Sequence, residues 1–244
     1  MTWIKICGTT NLEDALTAVD AGADALGFVF YEQSPRKIDV QTAREIVAKL
    51  PARVEKVGVF VSESADEWPR GVRNVGLTSV QQYFGFETRV QSKNAKATGI
   101  DGFSVPPKIY VALPVARFLE EEEEIKGLAA DFAKWKRNPQ EFPLPEGLWD
   151  TIVLDSGDLR QPGGTGKTFD WNKAVPIAAG MRQGGVKLIV AGGLTPANVG
   201  DAIGVLKPWG VDVASGVEAR PGKKDPEKVR AFVRAVRETD RKAG

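Results

Sequence analysis

Short apolar runs rich in β-branched residues recur along the chain, each followed by a polar or glycine-containing turn. They predict strands at Trp3–Cys7, Ala25–Phe30, Val57–Val61, Ser79–Gln82, Ile109–Leu113, Thr151–Leu154, Lys187–Ala191 and Val211–Ala214. Helical spacing fills most of the gaps. Leu12, Ala15, Leu16 and Val19 form a stripe of period 3.6 behind Asn11, a residue suited to an N-cap. Similar stripes run through Val40–Leu50, Ala197–Leu206 and Pro226–Val236, with a fainter one near Phe86–Ala95. Strand alternating with helix implies parallel pairing with the helices outside. Eight such units argue for closure into a single (β/α)8 barrel over residues 1–244.

One segment exceeds a minimal barrel. Between about 117 and 147 the chain carries the run Glu120–Glu124 and then Pro139, Pro143 and Pro145. This reads as a long fifth helix with a solvated face followed by an extended loop, with an acidic partner-binding patch as the alternative. The length of 244 residues suits one barrel and leaves no room for a second. A net charge of +1 supplies no basic field for nucleic acid. No apolar stretch reaches the roughly 18 residues of a membrane helix, and no signal-peptide pattern opens the chain. A cytoplasmic protein is expected. One cysteine and no histidine exclude an internal disulfide, His-based metal sites and Ser-His-Asp or Cys-His catalysis.

In such a barrel the chemistry sits at the C-terminal ends of the strands. The first strand ends in Lys5-Ile6-Cys7-Gly8, and alternation puts Lys5 and Cys7 on one face. Cys7 is either a small buried hydrophobe or a base, for which an electropositive setting would raise its thiolate fraction. Asp155 ends the sixth strand, whose tip faces that of the first across the barrel mouth. It reads as a loop-anchoring carboxylate or as a proton donor, and donation requires it to titrate well above the usual value of about 3.9. Arg36 follows strand 2 and suits either the surface or a substrate carboxylate held as a fork. Asp212, on strand 8, is placed either to orient a ligand or to pair with Lys5. Trp149 and Trp171 read as packing residues.

Gly163-Gly164-Thr165-Gly166-Lys167-Thr168 resembles a P-loop, but Gln161 stands where that motif needs glycine. What remains is a glycine-rich loop able to hold an anion. Gly192-Gly193 and Ser215-Gly216 follow strands 7 and 8, where barrels of the phosphate-binding type hold phosphate.

Lys5–Gly8 with Thr10-Asn11, Gly27–Phe30 leading to Ser34-Pro35-Arg36, Val57–Val61, Val153–Asp155, Gly163–Trp171, Ala191–Leu194 and Ser215–Glu218 together resemble phosphoribosylanthranilate isomerases over nearly the whole chain. The resemblance implies an enzyme of tryptophan biosynthesis that needs no cofactor or metal. It converts N-(5-phosphoribosyl)anthranilate to the ring-opened aminoketose by an Amadori rearrangement. It further implies Asp155 as general acid and Cys7 as general base. Arg36 would bind the anthranilate carboxylate, with Gln81 and Asp212 also binding substrate. Gly164, Gly166, Gly192, Gly193, Ser215 and Gly216 would hold the phosphate. The implied partner is this small phosphoribosyl substrate, with monomer and homodimer both open.

The sequence departs from the family at Gln81-Gln82-Tyr83-Phe84-Gly85, where Gln-Leu-His-Gly is usual. The histidine is absent and one residue is inserted. Another phosphosugar barrel, such as an indole-glycerol-phosphate synthase or a bifunctional aminoaldose isomerase, would carry a Lys–Glu set or paired aspartates in place of Cys7. A barrel that binds a phosphorylated ligand without turnover would keep affinity and show no rate.

Overall fold

The computed structural model describes residues 1–61, 74–83, 107–115, 119–134, 151–157 and 166–243. Eight parallel strands close into a barrel in chain order: β1 (Trp3–Cys7), β2 (Ala25–Val29), β3 (Glu55–Val61), β4 (Ser79–Tyr83), β5 (Lys108–Pro114), β6 (Thr151–Asp155), β7 (Lys187–Val190) and β8 (Gly210–Val213). β8 returns to β1 with Lys5 opposite Asp212, which completes the ring. Around it lie α1 (Leu12–Ala21), α2 (Val40–Val47), α3 (Glu122–Lys134), α4 (Trp171–Gly184), α5 (Val199–Leu206) and α6 (Pro226–Ala243).

The expected strands are all present, β1 with the expected bounds and the others with one or both ends moved by one or two residues. β4 runs on through Tyr83, which carries that side chain to the barrel mouth. The insertion contributes α3, the described part of the expected fifth helix, and its glutamates Glu122, Glu123 and Glu124 are exposed. Glu122 and Glu123 pair with Lys126 on the same helix face. The faint stripe at Phe86–Ala95 and the proline-rich tail of the insertion lie outside the described residues.

Local chemistry sets the helix ends. Asn11 caps α1 by accepting from the Asp14 N–H at 2.9 Å, as expected, and Gly22 closes it at φ 101°. The buried arc of α1 centres on Ala15, Ala18 and Val19, so Leu16 falls on its flank and stays exposed. Asp170 caps α4 in the same way. α5 starts at Val199, later than Ala197, because the Asn198 side chain is committed to the preceding loop. It accepts from Thr195 N–H at 2.7 Å and donates to the Gly193 carbonyl at 3.1 Å.

Alternation along the strands sorts the core into two parts. Ile4, Ile6, Leu26, Phe28, Ile152 and Leu154 face outward into the layer shared with the helices. Cys7, Val57, Val59, Tyr110, Val153 and Ile189 face the barrel axis. At the N-terminal end Trp3 stacks on Trp209 at 5.1 Å and meets Tyr110 edge-on at 5.8 Å. That aromatic plug closes the bottom. The cavity therefore opens at the other end, where β1 and β6 present Cys7 and Asp155.

Candidate active site

A cavity of about 250 Å³ opens at the C-terminal mouth, and Cys7, Arg36, Tyr83, Asp155, Asp212 and Ser215 all border it. Gly192 and Gly193 line it as well. Residues from six separate segments thus converge on one space.

Beneath the cavity lies a buried polar row. Lys5 Nζ donates to Asp212 Oδ2 at 2.7 Å and to Gln81 Oε1 at 2.9 Å. The pairing of Lys5 with Asp212, one of the two arrangements open from sequence, is the one present. Burial opposes the Lys5 ammonium, yet Asp212 and Cys7 hold it above the ordinary lysine range. Asp212 Oδ1 is buried and accepts no hydrogen bond among the described residues, so it presents an open acceptor at the cavity wall. Gln81 is buried under the cavity, with its amide engaged by Lys5 and, at 3.4 Å, by the Tyr83 hydroxyl. Its contacts here are with the protein.

Cys7 sits beside Gly27 of β2, where a Cβ would stand 2.6 Å from its sulfur and 3.0 Å from Lys5 Cε. A side chain at position 27 would displace both. The electropositive neighbours that would favour the thiolate are present in Lys5 and Lys224, yet they do not set the direction of the shift. Burial pushes Cys7 above its ordinary value, against the pull of the Lys5 ammonium. Asp155 is 4 % exposed, and burial raises it above the ordinary carboxylate range. The Tyr83 hydroxyl, 2.7 Å from Oδ2, and the Gly157 N–H, 2.8 Å from Oδ1, partly offset that rise.

Arg36 is buried rather than on the surface. Nε and Nη2 donate to Glu218 at 3.0 and 2.8 Å, so Glu218 holds one edge of the guanidinium. A guanidinium carries five N–H donors, which leaves the Nη1 edge for a planar anion. Glu218 also accepts from Lys224 Nζ at 3.0 Å, and Lys224 donates to the Cys7 carbonyl. Sequence reading missed Glu218 and Lys224 as site residues. They lie in a charged, glycine-containing turn that looks exposed until β9 (Glu218–Arg220) and β10 (Lys223–Lys224) pair and fold it inward.

The loop glycines have a steric rationale. A Cβ on Gly216 would collide with the Leu194 carbonyl oxygen, and one on Gly193 would meet the main chain of Lys167 and Thr168. Three loops therefore pack backbone against backbone at one corner of the mouth. Gly166 is exposed there, Ser215 begins a short 3₁₀ turn, and Gly164 lies outside the described residues.

A family model described as N-(5'phosphoribosyl)anthranilate (PRA) isomerase matches residues 4–126 and 133–235. N-(5'-phosphoribosyl)anthranilate isomerase of Chlorobaculum parvum is 39% identical over 99% of this chain and 97% of its own length. The fold is similar to crystal structures of phosphoribosyl anthranilate isomerase. The Thermotoga maritima enzyme has TM-score 0.73 and 35% identity, over 98% of this chain and 100% of the other. A structure in complex with reduced 1-(o-carboxyphenylamino)-1-deoxyribulose 5-phosphate has TM-score 0.70 and 35% identity over the same shares.

Proposed function

The chain belongs to the N-(5'-phosphoribosyl)anthranilate isomerase family, and from that premise we propose how its own residues divide the work of the reaction. The activity is isomerisation of phosphoribosylanthranilate to the 1-deoxyribulose phosphate in tryptophan biosynthesis. Asp155 gives its proton to the furanose ring oxygen as the C1–O bond breaks, while the anilino nitrogen forms the C1=N bond. Cys7, as thiolate, takes the proton from C2. The C2–H electron pair moves into the C1–C2 bond and neutralises the iminium, giving an enolamine. The enol hydroxyl then loses its proton as C1 gains one, and the ketone results.

The observation that carries this reading is the convergence of Cys7 and Asp155, from β1 and β6, on one cavity that Arg36 and the glycine loops also border. Asp155 held above the carboxylate range suits a donor. Cys7 held up by burial keeps little thiolate until positive charge develops beside it, which the iminium supplies. The open Oδ1 of Asp212 takes a substrate N–H or O–H. The free edge of Arg36 takes the carboxylate, and the loop corner at Gly166, Gly192, Gly193, Ser215 and Gly216 takes the phosphate, with Gly164 assigned there from the glycine-rich sequence of its loop.

The test is turnover of freshly generated phosphoribosylanthranilate by the purified protein, with competition by the reduced product analogue. Loss of substrate, inhibited by that analogue, is expected. Analogue binding without any rate would sink the reading. For Arg36, replacement with alanine costs about 1.5–3 kcal/mol in kcat/KM, the range for a charged hydrogen bond. It also leaves Glu218 with one fewer cation, so the decisive readout is a ratio. Wild type prefers the product analogue over its carboxylate-free counterpart, and Arg36→Ala loses that preference. An unchanged preference removes Arg36 from carboxylate recognition.

A further inference from the structure

Tyr83 ends β4, and its hydroxyl is the side-chain donor on Asp155, 2.7 Å from Oδ2. The direction of that bond is dictated from across the barrel. Lys5 can only donate, and Asp212 anchors it. The Gln81 oxygen must therefore face Lys5, which turns the Gln81 amide nitrogen toward the Tyr83 oxygen at 3.4 Å. Accepting there, the phenol has its one hydrogen left for Asp155. All five side chains in this row are buried. We propose that Tyr83 is a positioning residue for the reaction, aiming the Asp155 carboxyl into the cavity and stabilising the carboxylate left when the proton departs.

The inference rests on Asp155 being the general acid. Its physical basis is a preorganised donor aimed at charge that develops in the reaction, at a site sheltered from water. With the Gly157 N–H on Oδ1, each carboxyl oxygen has one fixed donor, so the group is held in plane with no rearrangement as it ionises. The ionisable groups facing this pair are Cys7 and Lys5 from β1 and Asp212 from β8. Tyr83 itself does not lose its proton. Burial, and then the Asp155 charge, push its phenol well above the ordinary tyrosine value.

Tyr83→Phe keeps the ring and removes the bond. The expected result is kcat lower by roughly 10- to 100-fold, with KM within about threefold. Losing a donor to the carboxylate disfavours its charged form, so the limb of the pH–rate profile set by Asp155 moves to higher pH. A chain carrying 3-fluorotyrosine at position 83, a stronger donor of nearly the same shape, moves that limb the other way. A purely structural tyrosine would shift neither limb. The proposal is overturned if Tyr83→Phe keeps wild-type kcat and profile while Asp155→Asn is inactive. If Asp155→Asn itself turns over normally, the assignment of the acid falls and this inference with it.

Discussion

With asparagine at position 155, kcat falls by about 1,000-fold, within the usual range for removing a positioned general acid. Affinity for the reduced product analogue stays within a few-fold, because the amide matches the carboxylate in shape and keeps an acceptor for the Tyr83 hydroxyl. What the amide lacks is a proton to give. The remaining rate depends on the thiolate alone, so it climbs with pH and is still climbing at about pH 8.5, since burial holds Cys7 above its ordinary value. A bell-shaped profile in this variant would mean that a different group donates.

The same substitution separates function from stability. Burial raises Asp155 in the folded state, so between the unfolded and folded values the native protein binds more protons than the unfolded chain. Stability therefore falls as pH rises through that window, and above it the buried carboxylate is a standing cost. Asparagine removes that dependence. Denaturant titrations at acidic and neutral pH are expected to show Asp155→Asn gaining on the wild type at the higher pH. A variant less stable at neutral pH would show that the Gly157 N–H bond to Oδ1, which an amide nitrogen cannot accept, outweighs the cost of the buried charge.

The barrel itself was legible because its signal is local and repeated. Each strand is a short apolar run, and each rung of alternation separates the helix-facing layer from the barrel axis. Cys7 and Asp155 were legible for the same reason, as polar groups at strand tips. Less could be read where burial depends on distant pairing. The pairing of Lys5 with Asp212 was readable only as one of two arrangements, because it depends on β8 closing against β1. Glu218 and Lys224 carry no apolar pattern, and the two-stranded turn that buries them forms in this chain between residues that look solvent-facing. Tyr83 looked like a disturbance of the loop after β4. In place it extends β4 by a residue and reaches the acid over the tip of β5. The direction of the Cys7 shift was not readable, because the sequence shows the nearby lysine and not the depth of burial, and burial is the larger effect.

Serine in place of Cys7 removes the base while leaving nearly the same volume against Gly27, so kcat falls by a factor of about 10³ to 10⁴ with analogue affinity kept. A hydroxyl ionises far less readily than a thiol, and the Lys5 ammonium, which already fails to offset burial for the thiol, does not close that gap. The residual rate now depends on Asp155 alone and has the opposite slope to the Asp155→Asn variant. It is highest at low pH, and falls as pH rises through the raised value of the carboxyl. Each variant thus retains one limb of the wild-type profile, and the two limbs belong to different residues. Measured together, the pair assigns donor and acceptor by sign as well as by loss of rate. Two variants with the same slope would show that one group performs both transfers, and near-normal turnover by Cys7→Ser would return Cys7 to the role of a buried small side chain.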